Sequence, residues 1–209
     1  FSALVILTSG TTGQPKGAVH TYYSLVDNLL ELAELVSIKP GKKLLVPLPV
    51  SHIFGLEVLL ICLLKGATAI FSDLEPQAFV QSINQQKPNV IAGVPTIYGA
   101  LLSLGKDKVN LENTEVLLSG GAPLPIPMAK QFEKEFSKRL NNGYGSTESK
   151  LVCLNIDGPL ESVGKAIPSV KFNILNGDGK ILPEGEEGEI FIDSSLLMKE
   201  YLNQPEKTR

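Results

Sequence analysis

Cysteine and histidine are scarce, with two of each in 209 residues. That excludes a disulfide framework and argues against zinc sites built from Cys and His. Cys62 and Cys153 stand far apart, each inside an apolar run, and read as buried structural thiols of a reducing, cytoplasmic compartment. An excess of one charge is missing too. The 22 acidic and 19 basic residues are spread along the chain with no basic stripe, so nucleic acid is not an expected partner. Long apolar runs are also absent. The most apolar stretch, IFGLEVLLICLL at 53–64, is too short to span a bilayer and carries Glu57, so it reads as a core helix. Nothing resembles a signal peptide. The chain begins inside an apolar strand without Met and closes on YLNQPEKTR, and is expected to be a piece of a longer protein.

What is present is enough for a sizeable core, at 43% hydrophobic residues. Up to about residue 157, short β-rich runs alternate with segments of helical period. Strands are expected at Ala3–Leu7, Leu44–Leu48, Ala67–Phe71, Asn89–Ala92, Glu115–Leu118 and Leu151–Asn155. Between them, SLVDNLLELAELV puts Leu25, Leu29, Leu32 and Val36 on one helical face. PMAKQFEKEFSKRL does the same with Met128, Phe132 and Phe136, behind a Pro127 suited to a first turn. Such alternation predicts an α/β fold with a mostly parallel sheet covered by helices on both faces. The texture changes near Gly158. VKFNILNGDGKILPEGEEGEIFI reads as two strands around Asn-Gly-Asp-Gly and then a third, a small antiparallel sheet or partial barrel. Two units follow, 1–157 and 158–209.

The densest chemistry lies in TSGTTGQPKG, Thr8 to Gly17. Glycine is costly to order, and three in ten residues suit a loop whose amides approach something bulky and charged. Strand, glycine-rich loop with lysine, then helix is a common way to present amides to phosphate. The order of Gly13, Pro15, Lys16 and Gly17 matches neither G-x-x-x-x-G-K-[ST] nor G-x-G-x-x-G, so an ordinary NTPase loop fails on lysine placement.

Four segments in order carry a resemblance. TSGTTGQPKG meets every position of T-S-G-[ST]-T-G-x-P-K-G. PLPVSHIFG (47–55) is similar to a proline-leucine, histidine, glycine segment, with Ser51 where an aromatic is usual. LSGGAPLP (118–125) and NNGYGSTES (141–149, with G-Y-G-x-T-E) follow. Together they resemble the adenylate-forming superfamily of acyl-CoA synthetases, amino-acid adenylation domains and beetle luciferases. GEIFIDSSLLMKEYLNQPEKT resembles the next motif, with Ser194, Ser195 and Glu200 where glycine is frequent.

The resemblance implies a reaction. A carboxylate is activated with ATP to acyl-AMP and pyrophosphate, and a thiol, normally that of CoA, then displaces AMP. It implies ATP and Mg2+, with CoA as co-substrate. Thr8, Ser9, Gly10, Thr11, Thr12, Gly13 and Lys16 would hold the β- and γ-phosphates. Gly120, Gly121, Ala122 and Pro123 would wall the adenine and acyl pocket. Gly143, Tyr144, Gly145, Ser146 and Thr147 would complete the nucleotide site, with Tyr144 stacked on adenine and Thr147 at the α-phosphate. Glu148 would hold magnesium; alone it reads as a solvated acid, but an acid beside phosphate makes sense through a cation. His52 would gate the acyl pocket or contact the carboxylate, and is otherwise a packing residue. The catalytic set is Lys16, His52, Thr147 and Glu148. His20 has no motif role and reads as packing.

Amino-acid adenylation domains place an aspartate just after the segment equivalent to PVSHIFG. Here Ile53, Phe54, Gly55 and Leu56 follow His52, so an ammonium would lack a partner. GVPTIYGAL (93–101) resembles a pocket-lining stretch of fatty and aryl acyl-CoA synthetases. With Phe54, Val94 and Ile97 it suggests an apolar acyl chain, from a fatty or aryl acid. The alternatives are a non-catalytic nucleotide-binding or structural module, or another adenylate-forming enzyme. The resemblance ends before the family's threonine-glycine-aspartate motif and C-terminal domain, so the 209 residues are not expected to complete the reaction alone.

Overall fold

Alternate residues along the central strands face two different cores. In the computed structural model, which describes residues 1–8 and 15–208, Leu44 and Val46 of one strand pack on one side and Leu45 on the other. Val90 and Ala92 divide from Ile91 in the same way. A strand buried on both faces needs helices above and below, which dictates the element order.

In chain order the elements begin with β1 (Ser2–Thr8), β2 (Lys16–Thr21), α1 (Tyr22–Leu35), β3 (Lys43–Val46), α2 (Ile53–Lys65) and β4 (Thr68–Phe71). Next come α3 (Pro76–Gln86), β5 (Val90–Gly93), α4 (Pro95–Leu104), β6 (Val116–Ser119), α5 (Ile126–Phe136) and β7 (Leu140–Ser146). The chain continues with β8 (Lys150–Asn155), β9 (Lys165–Ala166), β10 (Lys171–Leu175), β11 (Glu189–Asp193), β12 (Glu200–Tyr201) and α6 (Pro205–Thr208). A seven-stranded sheet runs β4-β3-β5-β6-β7-β8-β9, parallel from β4 to β7 and antiparallel thereafter. Helices α1 and α2 cover one face, and α3, α4 and α5 the other. This is the expected α/β class. Its order reverses beside β3, since β4 lies on one side and β5 on the other. Such a switch opens a crevice beyond the carboxyl ends of the strands.

The expected helical faces hold. Leu25, Leu29 and Leu32 are buried on α1, and Phe132 is buried on α5 behind Pro127 in its first turn. The expected strands appear with ends displaced by a residue or two. Four others escaped the pattern: β2, β7, β9 and β12. NNGYGS reads as loop because glycine and asparagine are poor strand formers. Pairing to β6 and β8 on both sides overrides that preference.

One local expectation is corrected. The glycine-rich segment does not run into a helix: Thr8 pairs with Lys16 in an antiparallel β1–β2 hairpin, so it joins two strands. Helix α1 begins only at Tyr22, where the Thr21 hydroxyl accepts from Ser24 N–H.

The antiparallel segment is a two-stranded β10–β11 ribbon, and the expected middle strand shrinks to a single Leu175–Ile181 bridge. Asn176 Oδ1 accepts from the N–H groups of Asp178 and Lys180, holding the turn without that strand. The large sheet's last strand, β9, lies beyond Gly158. Both cysteines are buried free thiols, and burial pushes Cys62 up to about 11. No helix among the described residues is long and apolar enough to cross a membrane.

Candidate active site

The carboxyl ends of β3, β6 and β7 feed three segments into one cavity of about 330 Å³. After β3 come His52, Ile53 and Phe54; after β6, Gly120 and Gly121; within and after β7, Gly143 and Gly145 to Glu148. Thr8 and Lys16 reach it from the hairpin. Residues from four separate stretches of sequence thus share one lining. Ser9, Gly10, Thr11, Thr12 and Gly13, assigned to the polyphosphate, lie outside the described residues.

Two glycines shape this space. A Cβ on Gly145 would stand 2.1 Å from the Lys150 carbonyl oxygen, so only glycine lets β7 and β8 close there. Gly121 has φ +77°, which favours glycine as the chain turns away from β6. Beside it, Ala122 and Pro123 are exposed and stand outside the lining. Tyr144, between two lining glycines, is also outside it and open to solvent.

His52 caps α2: its Nδ1 accepts from Phe54 N–H at 3.4 Å while the residue lines the cavity. His52 is exposed rather than packed, and its one recorded hydrogen bond is this helix cap. Phe54 lines the cavity as expected. Ile97 does not; it is buried in the α3–α5 core, because its position on α4 faces the sheet. Val94 is also absent from the lining and packs near Gly121.

Around Glu148 the residues form a connected polar group. Ser146 and Ser149 exchange hydrogen bonds, Ser146 N–H donating to Ser149 Oγ at 3.0 Å and Ser149 N–H to Ser146 Oγ at 3.2 Å. The Glu148 carbonyl accepts from Met198 N–H. Its carboxylate Oε1 accepts from the Tyr201 hydroxyl at 2.6 Å, and Lys16 Nζ lies 4.2 Å from the centre of the Tyr201 ring. Burial pushes the Glu148 carboxyl up. The hydrogen bonds from Tyr201, its own backbone and Ser146, with the charge of Lys16, outweigh that and leave it lowered. Tyr201 is pushed up to about 12 by burial and by Glu148. Sequence reading missed Tyr201. It arrives through β12, a two-residue strand paired with β2.

Below this rim lies a buried group that the motifs also did not announce. His20, fully buried on β2, donates from Nε2 to the Thr147 carbonyl at 2.8 Å. Its Nδ1 accepts from Lys150 Nζ at 3.3 Å, and Lys150 also donates to the Leu196 carbonyl. Lys150 is 1% exposed and sits at φ +62°, strained for a residue with a side chain. Burial first, then Lys150, pull His20 down to about 4. Burial pulls Lys150 down to about 8 against the opposing charge of Glu57. So His20 is more than packing: it ties the Thr147 carbonyl to the β2 strand.

Among the described residues, six buried side-chain polar atoms have no hydrogen-bond partner. Three of them, Thr8 Oγ1, Glu57 Oε1 and Ser119 Oγ, belong to residues of this lining. Buried polar atoms are ordinarily paired, so their gathering in one cavity points to a ligand that completes them.

The donor set also bears on metal. The described residues contain no cluster of three or more His, Cys, Asp or Glu side chains. Glu148 is one carboxylate at the cavity with its Oε2 uncommitted to Tyr201. That fits magnesium, which is held by one or two carboxylates with substrate phosphates and water rather than by a protein cage.

A cavity of this kind lies where open α/β sheets bind their ligands, in the crevice beyond the carboxyl ends of the strands. Residues 2–202 match the AMP-binding enzyme family, and the chain belongs to it. It is 34% identical to the acyl-CoA ligase sidI of Aspergillus fumigatus over 96% of this chain and 36% of that protein. ATP-bound MatB from Rhodopseudomonas palustris superposes with a TM-score of 0.90 at 30% identity, over 98% of this chain and 42% of that one. O-succinylbenzoate coenzyme A synthetase from Bacillus subtilis, in complex with ATP and magnesium ion, gives 0.88 at 27% identity, over 98% and 43%. The chain thus spans well under half the length of these relatives.

Proposed function

We propose that the protein carrying this chain activates a carboxylic acid with ATP, releasing pyrophosphate, and passes the acyl group to the thiol of CoA. The observation that carries this is the meeting of Lys16, His52–Phe54, Gly120–Gly121, Gly143 and Gly145–Glu148 on one cavity with unpartnered polar atoms. Lys16 supplies a positive charge where polyphosphate oxygens would lie, and Thr8 Oγ1 an unspent hydroxyl. Magnesium, when bound, neutralises phosphate charge. Glu148 would hold it, with Tyr201 fixing the carboxylate. Catalysis of in-line attack on the α-phosphorus is then positioning and charge stabilisation. His20 holds the Thr147 backbone, so that this segment is set before substrate arrives. Ile53, Phe54, Leu118, Leu151 and Leu154 give the rest of the lining an apolar character suited to a fatty or aryl acyl part.

ATP–pyrophosphate exchange in the full-length protein, run with a panel of carboxylic acids, tests the reading. Exchange that requires an acid, followed by thioester formation with CoA, is the expected result. Phosphate release without any acid would instead mark an NTPase. Bound nucleotide with no turnover would mark a binding module.

A further inference from the structure

Glu57 is the anomaly of the acyl side. It sits on α2, 4% exposed, among the apolar lining residues Phe54, Leu118, Leu151 and Leu154. One carboxylate oxygen, Oε1, has no partner among the described residues. The obvious structural partner is not used. Lys150 is in the same lining, but its ammonium goes to the Leu196 carbonyl and to His20 Nδ1 and makes no ion pair with Glu57. A buried acceptor left this way is costly, and a hydrophobic residue of similar size would serve packing better.

A carboxylate is the wrong group to receive a polyphosphate without a cation, and Glu148 already stands where a cation would bridge. Glu57 therefore faces the other substrate. Its occupant must bring a hydrogen-bond donor. An ammonium would meet the Lys150 charge in the same lining, whereas a neutral hydroxyl meets no such repulsion. Protonated or ionised, the carboxyl keeps an oxygen able to accept.

We propose that Glu57 makes the cavity selective for a carboxylic acid with a mainly apolar acyl part that carries a hydroxyl group, received as a hydrogen bond by the unpartnered oxygen. This rests on the adenylation reading above and narrows its substrate class.

The test is ATP–pyrophosphate exchange in the full-length protein with matched acids: 3-hydroxybutyrate and butyrate, 5-hydroxypentanoate and pentanoate, 4-hydroxycinnamate and cinnamate, and 5-aminopentanoate as the cationic comparison. The best hydroxylated acid should exceed its deoxy partner in kcat/KM by up to ~10⁴-fold, as for sites built around a substrate hydroxyl. Glu57→Leu should reverse that order, raising kcat/KM for the deoxy acid and lowering it for the hydroxylated one. Glu57→Gln, which keeps an acceptor in the same volume, should retain part of the preference. Equal use of both members of every pair, a preference that survives Glu57→Leu, or preference for the amine would overturn the inference while leaving adenylation standing. Absence of exchange with every acid would overturn the adenylation reading and this inference with it.

Discussion

Two glutamates line the same cavity and are driven in opposite directions. Glu148, at the rim, has its carboxyl lowered because a tyrosine hydroxyl, backbone and serine donors and the Lys16 charge outweigh partial burial. Glu57, at the floor, is pushed up to about 7 by burial, which the Lys150 charge and the Leu151 backbone only partly oppose. Each has a lysine in the shared lining, yet geometry decides the outcome. Lys16 stacks over the ring that donates to Glu148, while Lys150 spends its ammonium elsewhere. One carboxylate is therefore prepared to stay charged beside phosphate. The other is left wanting a donor.

The rim side of this contrast predicts the largest effect. Lys16→Ala or Glu148→Ala should each lower the rate of adenylation by about 10²–10³-fold, the usual loss for one group that stabilises charge in the transition state. Both are polar positions at the cavity, so the melting transition should move by no more than about 1 kcal/mol equivalent. Exchange kinetics beside thermal melts check this. Wild-type rates in either variant would remove the rim from the reaction.

Besides acid selectivity, the floor should reveal itself in the pH dependence of stability. Glu57 holds its proton more tightly when folded than its ordinary 4.5, so its stabilising share is present at low pH and is lost as pH rises through about 7. His20 behaves oppositely. Its folded value of about 4 lies below 6.5, so its contribution is complete above 6.5 and is lost as pH falls toward 4. Glu57→Gln should therefore gain stability over wild type progressively between pH 4.5 and 7, and the gain should level off above. His20→Gln, whose amide can still donate to the Thr147 carbonyl, should flatten the acid side. Denaturant melts across pH 4 to 8 would separate the two, and parallel curves for wild type and Glu57→Gln would show that the floor carboxyl does not titrate as its burial implies.

The same divide explains what could be read from sequence. The rim motifs were legible because phosphate chemistry demands particular residue types at fixed spacings, and Lys16, Gly120, Gly121, Thr147 and Glu148 all fall on the cavity. So was the sheet, since runs such as KLLV and VIAG between helix-period segments signal strands covered on both faces. The floor was not. His20 meets Thr147 across 127 residues of sequence, and Lys150 meets His20 across 130. Glu57 was visible only as a charge interrupting an apolar helix, which ruled out a membrane span without saying what the charge faced. Tyr201 was hidden for a related reason: a two-residue strand carries no periodicity, and only its pairing with β2 brings the hydroxyl to Glu148. Ile97 shows the converse, a residue of suitable chemistry that helix phase turns into the core.

Tyr201 gives the smallest predicted effect and the finest test of how the rim works. Tyr201→Phe keeps the ring beneath Lys16, so the cation–π contact at 4.2 Å survives and only the hydroxyl is lost. One hydrogen bond to a partly buried carboxylate disappears, worth about 1 kcal/mol net in stability. Without that donor the Glu148 carboxyl should rise toward its ordinary range and its Oε1 should become free. Both changes make it a better ligand for a hard cation, since two oxygens of higher basicity replace one. The rate of adenylation should fall by only a few-fold while the magnesium concentration giving half-maximal exchange also falls. A titration of exchange rate against magnesium in wild type and Tyr201→Phe reads both. If the variant loses as much activity as Glu148→Ala, the hydroxyl takes part in the chemistry rather than in holding the carboxylate. If the magnesium requirement rises instead, Tyr201 orients Glu148 for the metal more than it competes with it.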